Sequence, residues 1–141
     1  MKKLFLFATF LIIIHSNSFS QGCLPEGITF TTQEQIDNFQ ANYPGCTEIE
    51  GDVNIGEIGV SNDFTSLQGL DVITSISGNL WIVENSLINL DGLNNLEFIG
   101  GHFLIIDSDA LTNLTGLEGL TYIGGLFGIA ANNFMTNLTG L

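Results

Sequence analysis

The chain has 141 residues, 45% of them hydrophobic, with 15 acidic and only 2 basic side chains and a formal charge of −13 at pH 7. That balance excludes nucleic acid and anionic membrane surfaces as partners, because like charges repel. The length suits one domain with a core of its own, and 17 glycines amid many asparagines point to a turn-rich β protein.

Residues 1–20 read as a signal peptide. Lys2 and Lys3 make a positive start, residues 4–14 are apolar except for Thr9, and Ser18 and Ser20 supply small residues before cleavage at Gln21. The apolar run is too short to cross a bilayer, which needs roughly 20 residues, so a membrane anchor is the weaker reading. A lipid on Cys23 is weaker still, because Ser20 stands where a lipobox carries Leu. The expected location is therefore secreted or cell-surface, with no membrane insertion after cleavage. Lys2 and Lys3 are the only Lys or Arg residues, so the mature chain keeps 15 acids and a formal charge of −15. Only His102 or the new amino terminus can then form an ion pair, and stability must come from burial and backbone hydrogen bonds.

Residues 21–50 read as an N-terminal cap. Cys23 and Cys46, an even pair in an exported chain, are expected to form one disulfide. Between them, Thr31-Thr32-Gln33-Glu34 reads as a capping box, with Thr31 accepting from the Glu34 amide. Ile36, Phe39 and Tyr43 follow at helical spacing, and Pro44-Gly45 stops the segment. The pattern predicts a helix over residues 32–42, stapled by the disulfide and covering the open end of the stack of repeats.

Residues 51–141 carry a repeat: Gly, any residue, an apolar residue, any residue, Ile. It occurs as Gly51-Asp52-Val53-Asn54-Ile55, Gly78-Asn79-Leu80-Trp81-Ile82, Gly101-His102-Phe103-Leu104-Ile105 and Gly125-Leu126-Phe127-Gly128-Ile129, at spacings of 27, 23 and 24 residues. Such a period means a mainly β solenoid whose coils bury their apolar faces by stacking. The predicted columns are Val53/Leu80/Phe103/Phe127, Ile55/Ile82/Ile105/Ile129, Leu67/Leu90/Leu114/Leu138 and Leu70/Leu93/Leu117/Leu141, with Ile49, Ile76, Ile99 and Ile123 closing each coil. Asn89, Asn113 and Asn137 recur in an Asn-Leu-x-Gly-Leu segment. They are expected to face inward and to bond either corner backbone or each other. Asn113 and Asn137 also fit the glycosylation sequon, but an inward amide is a poor acceptor.

Strand alternation turns Trp81, Val83, Leu104, Ile106 and Leu126 outward, with His102 beside them, as one apolar patch suited to contact. In the turns after the strands, Glu84, Asp107 and Asp109 are a candidate calcium cluster; otherwise they are ordinary polar turn residues. No other cofactor is implied. The sequence offers no catalytic grouping: one mature histidine, paired cysteines and no phosphate loop. Asp107 and Asp109 imitate a glycosidase pair, yet a polysaccharide-cleaving β-helix enzyme wants basic residues that are missing.

The run from Asn42 to Ile55, preceded by Cys23, resembles the start of a receptor L domain. The recurring Leu-x-x-Leu-x-x-Ile-x-Gly-x-apolar-x-Ile is similar to that domain's later coils. This is the leucine-rich-repeat-like module of insulin- and growth-factor-receptor ectodomains, with related repeats in secreted bacterial surface proteins. The resemblance implies a right-handed β-helix with a helical cap, and binding without catalysis. No cysteine pair closes the far end and the fourth coil is incomplete, so the expectation is a fragment of a longer protein. The function expected is a secreted or cell-surface adhesion module that takes a protein or glycan on the outer face of its parallel sheet. The alternatives are a structural spacer covered by further repeats or by a homodimer, and a β-helix polysaccharide-acting enzyme.

Overall fold

The computed structural model describes residues 22–141; the predicted signal peptide and its cleavage point lie outside the described residues. The elements in chain order are β1 (Ile28–Phe30), α1 (Gln33–Asp37), α2 (Phe39–Asn42), β2 (Glu48–Ile49), β3 (Val53–Ile55), a 3-10 turn (Gln68–Leu70), β4 (Ser75–Ile76), β5 (Leu80–Val83), β6 (Phe98–Ile99), β7 (Phe103–Ile106), β8 (Tyr122–Ile123) and β9 (Phe127–Ala130). The chain is mainly β, with two parallel sheets ordered β1-β3-β5-β7-β9 and β2-β4-β6-β8.

The register follows the apolar pattern. Val53 pairs with Leu80, Leu80 with Phe103 and Phe103 with Phe127, while Ile55, Ile82, Ile105 and Ile129 form the next column. In the smaller sheet Ile49, Ile76, Ile99 and Ile123 align in the same way. A one-residue slip would turn the buried members of these columns to water, so burial fixes the register, although Phe127 in the last strand is 37% exposed. Leu67, Leu90 and Leu114, with Leu70, Leu93 and Leu117, fill the space between the sheets as one buried cluster. The last member of each leucine column, Leu138 and Leu141, is exposed.

Two glycines show why the Asn-Leu-x-Gly-Leu segment keeps its glycine. Gly92 and Gly116 have φ of +112° and +108°, and a Cβ on either would strike the carbonyl of Leu67 or Leu90 in the preceding repeat. Only glycine combines that backbone with so close an approach.

The region before the first repeat differs from expectation in two ways. First, Ile28-Thr29-Phe30 forms a strand, β1, in register with Val53-Asn54-Ile55. Its alternation buries Phe30 and extends the larger sheet by one strand. Second, the single helix over residues 32–42 is two short helices broken at Asn38, whose φ of −97° and ψ of 11° are not helical and whose side chain bonds the Glu34 carbonyl. The capping box sits one residue later than expected: Thr32 Oγ1 accepts from Gln35 N–H, and Gln35 Oε1 accepts from Thr32 N–H. Gln35 also takes the Thr31 amide at 2.7 Å, so the side chain three residues after Thr32 governs the start. Ile36 and Phe39 are buried in the common cluster, with Phe39 edge-on to Phe30. Cys23 and Cys46 are joined, with Cα atoms 5.7 Å apart.

The asparagine column is also corrected. Asn89, Asn113 and Asn137 do not face inward; each accepts from the backbone amide two residues on, at Asp91, Thr115 and Thr139. These are local Asx turns, the motif that favours asparagine at chain reversals. The buried polar column lies instead at the corner after the larger sheet, where Asn62, Asn85 and Ser108 are buried. Asn85 Nδ2 donates to Ser108 Oγ at 2.8 Å, Leu87 N–H donates to Asn85 Oδ1, and Ser108 N–H donates to Asn132 Oδ1. The corner residues just before this column, Glu84, Asp107 and Ala131, have positive φ. The bend therefore exposes backbone groups that the buried amides must satisfy.

Candidate functional site

The outer face of the larger sheet carries one central column: Thr29, Asn54, Trp81, Leu104 and Gly128, each in register with the next. Val83 aligns with Ile106, and Ile106 with Ala130. Trp81, Leu104 and Ile106 are thus brought together on this face. Leu104 leans over Gly128, where an added Cβ would lie 2.8 Å from Leu104 Cδ2. Trp81 is 37% exposed, a large apolar ring left partly open on a regular sheet.

The face is not flat. Val53 and Leu80 are 27 residues apart, against 23 and 24 in the later repeats, and the extra residues lie just after β3. Gly56, with φ +95°, leaves the strand where a Cβ would strike the Val83 carbonyl. Residues 57–60 then make a tight turn: Val60 N–H donates to Glu57 O at 3.1 Å, and Gly59 takes the positive φ of +81° that its third position requires. Gly59 N–H donates to Glu84 Oε1 at 2.6 Å, tying the turn to the next repeat. Ile58 at the tip is 68% exposed. A groove of about 580 Å³ runs between this turn and Trp81, with Asn54 and Val83 in its lining.

Val83 needs correction as an exposed contact residue. It lies on the outward side by register but is only 3% exposed, and it is not part of the cluster between the sheets. The inserted turn stands over it, so Val83 lines the groove from beneath instead of offering a free surface.

His102 and Leu126 lie at the heads of their strands, in a column with Asp52 and Asn79. The side chains of Asp52, Asn79 and His102 each accept the backbone amide of the following repeat. Asn79 N–H donates to Asp52 Oδ1 at 2.7 Å, His102 N–H to Asn79 Oδ1 at 2.7 Å, and Leu126 N–H to His102 Nδ1 at 2.8 Å. Nδ1 of His102 is therefore the unprotonated nitrogen, and Nε2 is the ring's remaining polar atom. Leu126 is 70% exposed but sits two strands from Trp81.

The three calcium candidates do not form a cluster. Among the described residues no group of three or more His, Cys, Asp or Glu side chains is placed to hold a metal ion. Glu84, Asp107 and Asp109 do border one shallow polar dip with Ser61. Their carboxylates diverge, however. Glu84 turns back to Gly59, while Asp109 Oδ1 reaches forward to accept from Asn133 N–H and Nδ2 at 3.0 and 2.8 Å. Calcium asks for six to eight convergent oxygens, and these two side chains each serve a turn instead.

The repeat pattern does not single out Glu57 and Ile58, which wall the groove; their sign in the sequence is the 27-residue spacing. A second exposed aromatic pair, Phe98 and Tyr122, stacks at 4.9 Å on the smaller sheet and lies outside the groove.

Parallel ladders of one short repeated strand, with an apolar groove raised by an insertion in a single repeat, define a repeat-built β module with a site suited to contact. Residues 45–114, just under half of the 141, match the family model of the Receptor L domain. The matched segment runs from β2 through β7 and contains both the inserted turn and Trp81. No curated protein matches the chain, and no solved structure does. Among the described residues no helix is long and apolar enough to cross a membrane.

Proposed function

We propose that this chain is a secreted or cell-surface binding module, a right-handed solenoid closed at its leading end by α1 and α2, that takes a protein ligand on the outer face of its larger sheet. The observation that carries the reading is the groove between Ile58 and Trp81, built by the one repeat that departs from the common spacing. Insertions in single repeats of stacked folds commonly form the binding surface. Large aromatic side chains left open beside an apolar wall are favoured anchors. The Receptor L domain match over residues 45–114 supports a binding role.

The test is a panel of purified extracellular proteins and glycans, probed with the wild type and with Trp81→Ala. The expected result is a panel protein whose binding is lost in the variant at unchanged melting temperature. A large fall in melting temperature would instead mark Trp81 as covered structure, and a binder indifferent to Trp81→Ala would place the site elsewhere.

A further inference from the structure

Resting on that reading of the sheet face, we propose that the groove is specific for an extended protein segment bearing an arginine. The arginine stem lies between Ile58 and Trp81, and its guanidinium meets the Glu57 carboxylate.

Charge and shape point to the same occupant. Glu57 stands at the rim of the groove, in the wall that also presents Ile58. Among the described residues none donates a hydrogen bond to its carboxylate. The chain has no Lys or Arg after Lys3, so no basic side chain of the described protein can neutralise it. Glu84 holds the same turn through Gly59 N–H but borders the separate polar dip, so Glu57 is the carboxylate of the groove itself. A carboxylate beside apolar walls sets a negative potential in the concavity. A neutral apolar ligand would leave Glu57 desolvated and unpaired, and an acidic one would be repelled.

The remaining lining chooses arginine. An aliphatic stem is matched by Ile58 and Val83, and a planar cation by the partly exposed indole of Trp81. Arginine is less strongly hydrated than lysine and stacks on aromatic rings, so it loses less on entering a half-closed groove. The polar floor supplied by Asn54 and Thr29, already bonded to each other at 3.3 Å, leaves amide and hydroxyl capacity for the backbone of an extended segment.

Trp81 is the only tryptophan in the chain, so its emission and its indole N–H resonance report this groove alone. The probes are three synthetic decapeptides of alternating Val and Ser, identical except for one central residue: arginine, its neutral isostere citrulline, or glutamate. The arginine peptide is expected to shift the Trp81 signals saturably. Glu57→Gln should weaken it about fivefold at low salt, and 0.5 M salt about as much. Citrulline and glutamate peptides should bind at least fivefold more weakly than arginine. Equal response to all three peptides, no response to any, or indifference to Glu57→Gln would overturn the inference. The sheet-face reading fails separately, when the panel protein bound by the wild type is still bound by Trp81→Ala. Glu57 is exposed, so Glu57→Gln tests the groove without removing core packing.

Discussion

The carboxylate of Glu84 accepts the backbone amide of Gly59 at 2.6 Å, across 25 residues of sequence. That bond fastens the wall of the groove to the repeat that supplies Trp81. It also engages Glu84, one of three carboxylates in sequence reach of a shared turn edge, in holding the turn. Glu84→Ala should leave the global fold intact and loosen the wall. The amide of Gly59 is expected to exchange with deuterium at least tenfold faster, with the amides of β5 unchanged. Equal exchange at Gly59 would show that the turn holds itself.

Calcium should accordingly do nothing. The melting temperature is expected to be the same with excess calcium and with a chelator. A rise of several degrees with calcium, abolished in Asp109→Asn, would restore a turn site.

The buried amides should matter far more than those of the local turns. Asn85 is enclosed, donates to Ser108 Oγ and accepts from Leu87 N–H. Asn85→Ala should cost about 2–3 kcal/mol in denaturant unfolding, because it strands buried partners. Asn113→Ala breaks only local bonds, from Thr115 N–H and to Thr112 Oγ1, and should cost about 0.5–1 kcal/mol. The reverse order would mean that the column of inward amides is the one in the Asn-Leu-x-Gly-Leu segment after all.

His102 should be replaceable by asparagine but not by alanine. Its Nδ1 takes the Leu126 amide, as Asn79 Oδ1 takes the amide of His102 one repeat earlier. His102→Ala should lose about 1 kcal/mol of stability, and His102→Asn should recover most of it. Equal loss in both would show that the imidazole contributes by packing and not by accepting a bond.

The disulfide closes a loop between residues 23 apart in sequence, around β1, α1 and α2. Its removal in a Cys23→Ala, Cys46→Ala variant should lower stability by about 3 kcal/mol. Protease sensitivity should appear first in residues 24–45. Unchanged stability would mean that the buried Ile36 and Phe39 hold this end unaided.

The ladder of the larger sheet was legible because Val53, Leu80 and Phe103 carry the same chemistry at the same offset from a glycine. A period of that kind leaves one register that buries Val53, Leu80 and Phe103 together. The strand at Ile28–Phe30 was not legible, since no glycine stands two residues before Ile28 and only Ile28-Thr29-Phe30 alternates. Trp81, Leu104 and Ile106 followed from alternation, but the cover over Val83 did not, because a turn inserted in one repeat has no period to read. The amide column at Asn62, Asn85 and Asn132 was obscured for a similar reason: Ser108 breaks the run, whereas Asn89, Asn113 and Asn137 of the local turns repeat without a gap.

The most direct measurement removes the feature on which the proposed binding face depends. Deleting Glu57, Ile58 and Gly59 shortens the interval from Val53 to Leu80 from 27 residues to 24, the length already used between Phe103 and Phe127. The shortened chain should keep the wild-type circular dichroism and lose less than about 2 kcal/mol of stability. It should no longer bind the ligand protein that the wild type binds. Undiminished binding by a folded deletion variant would contradict the assignment of the groove.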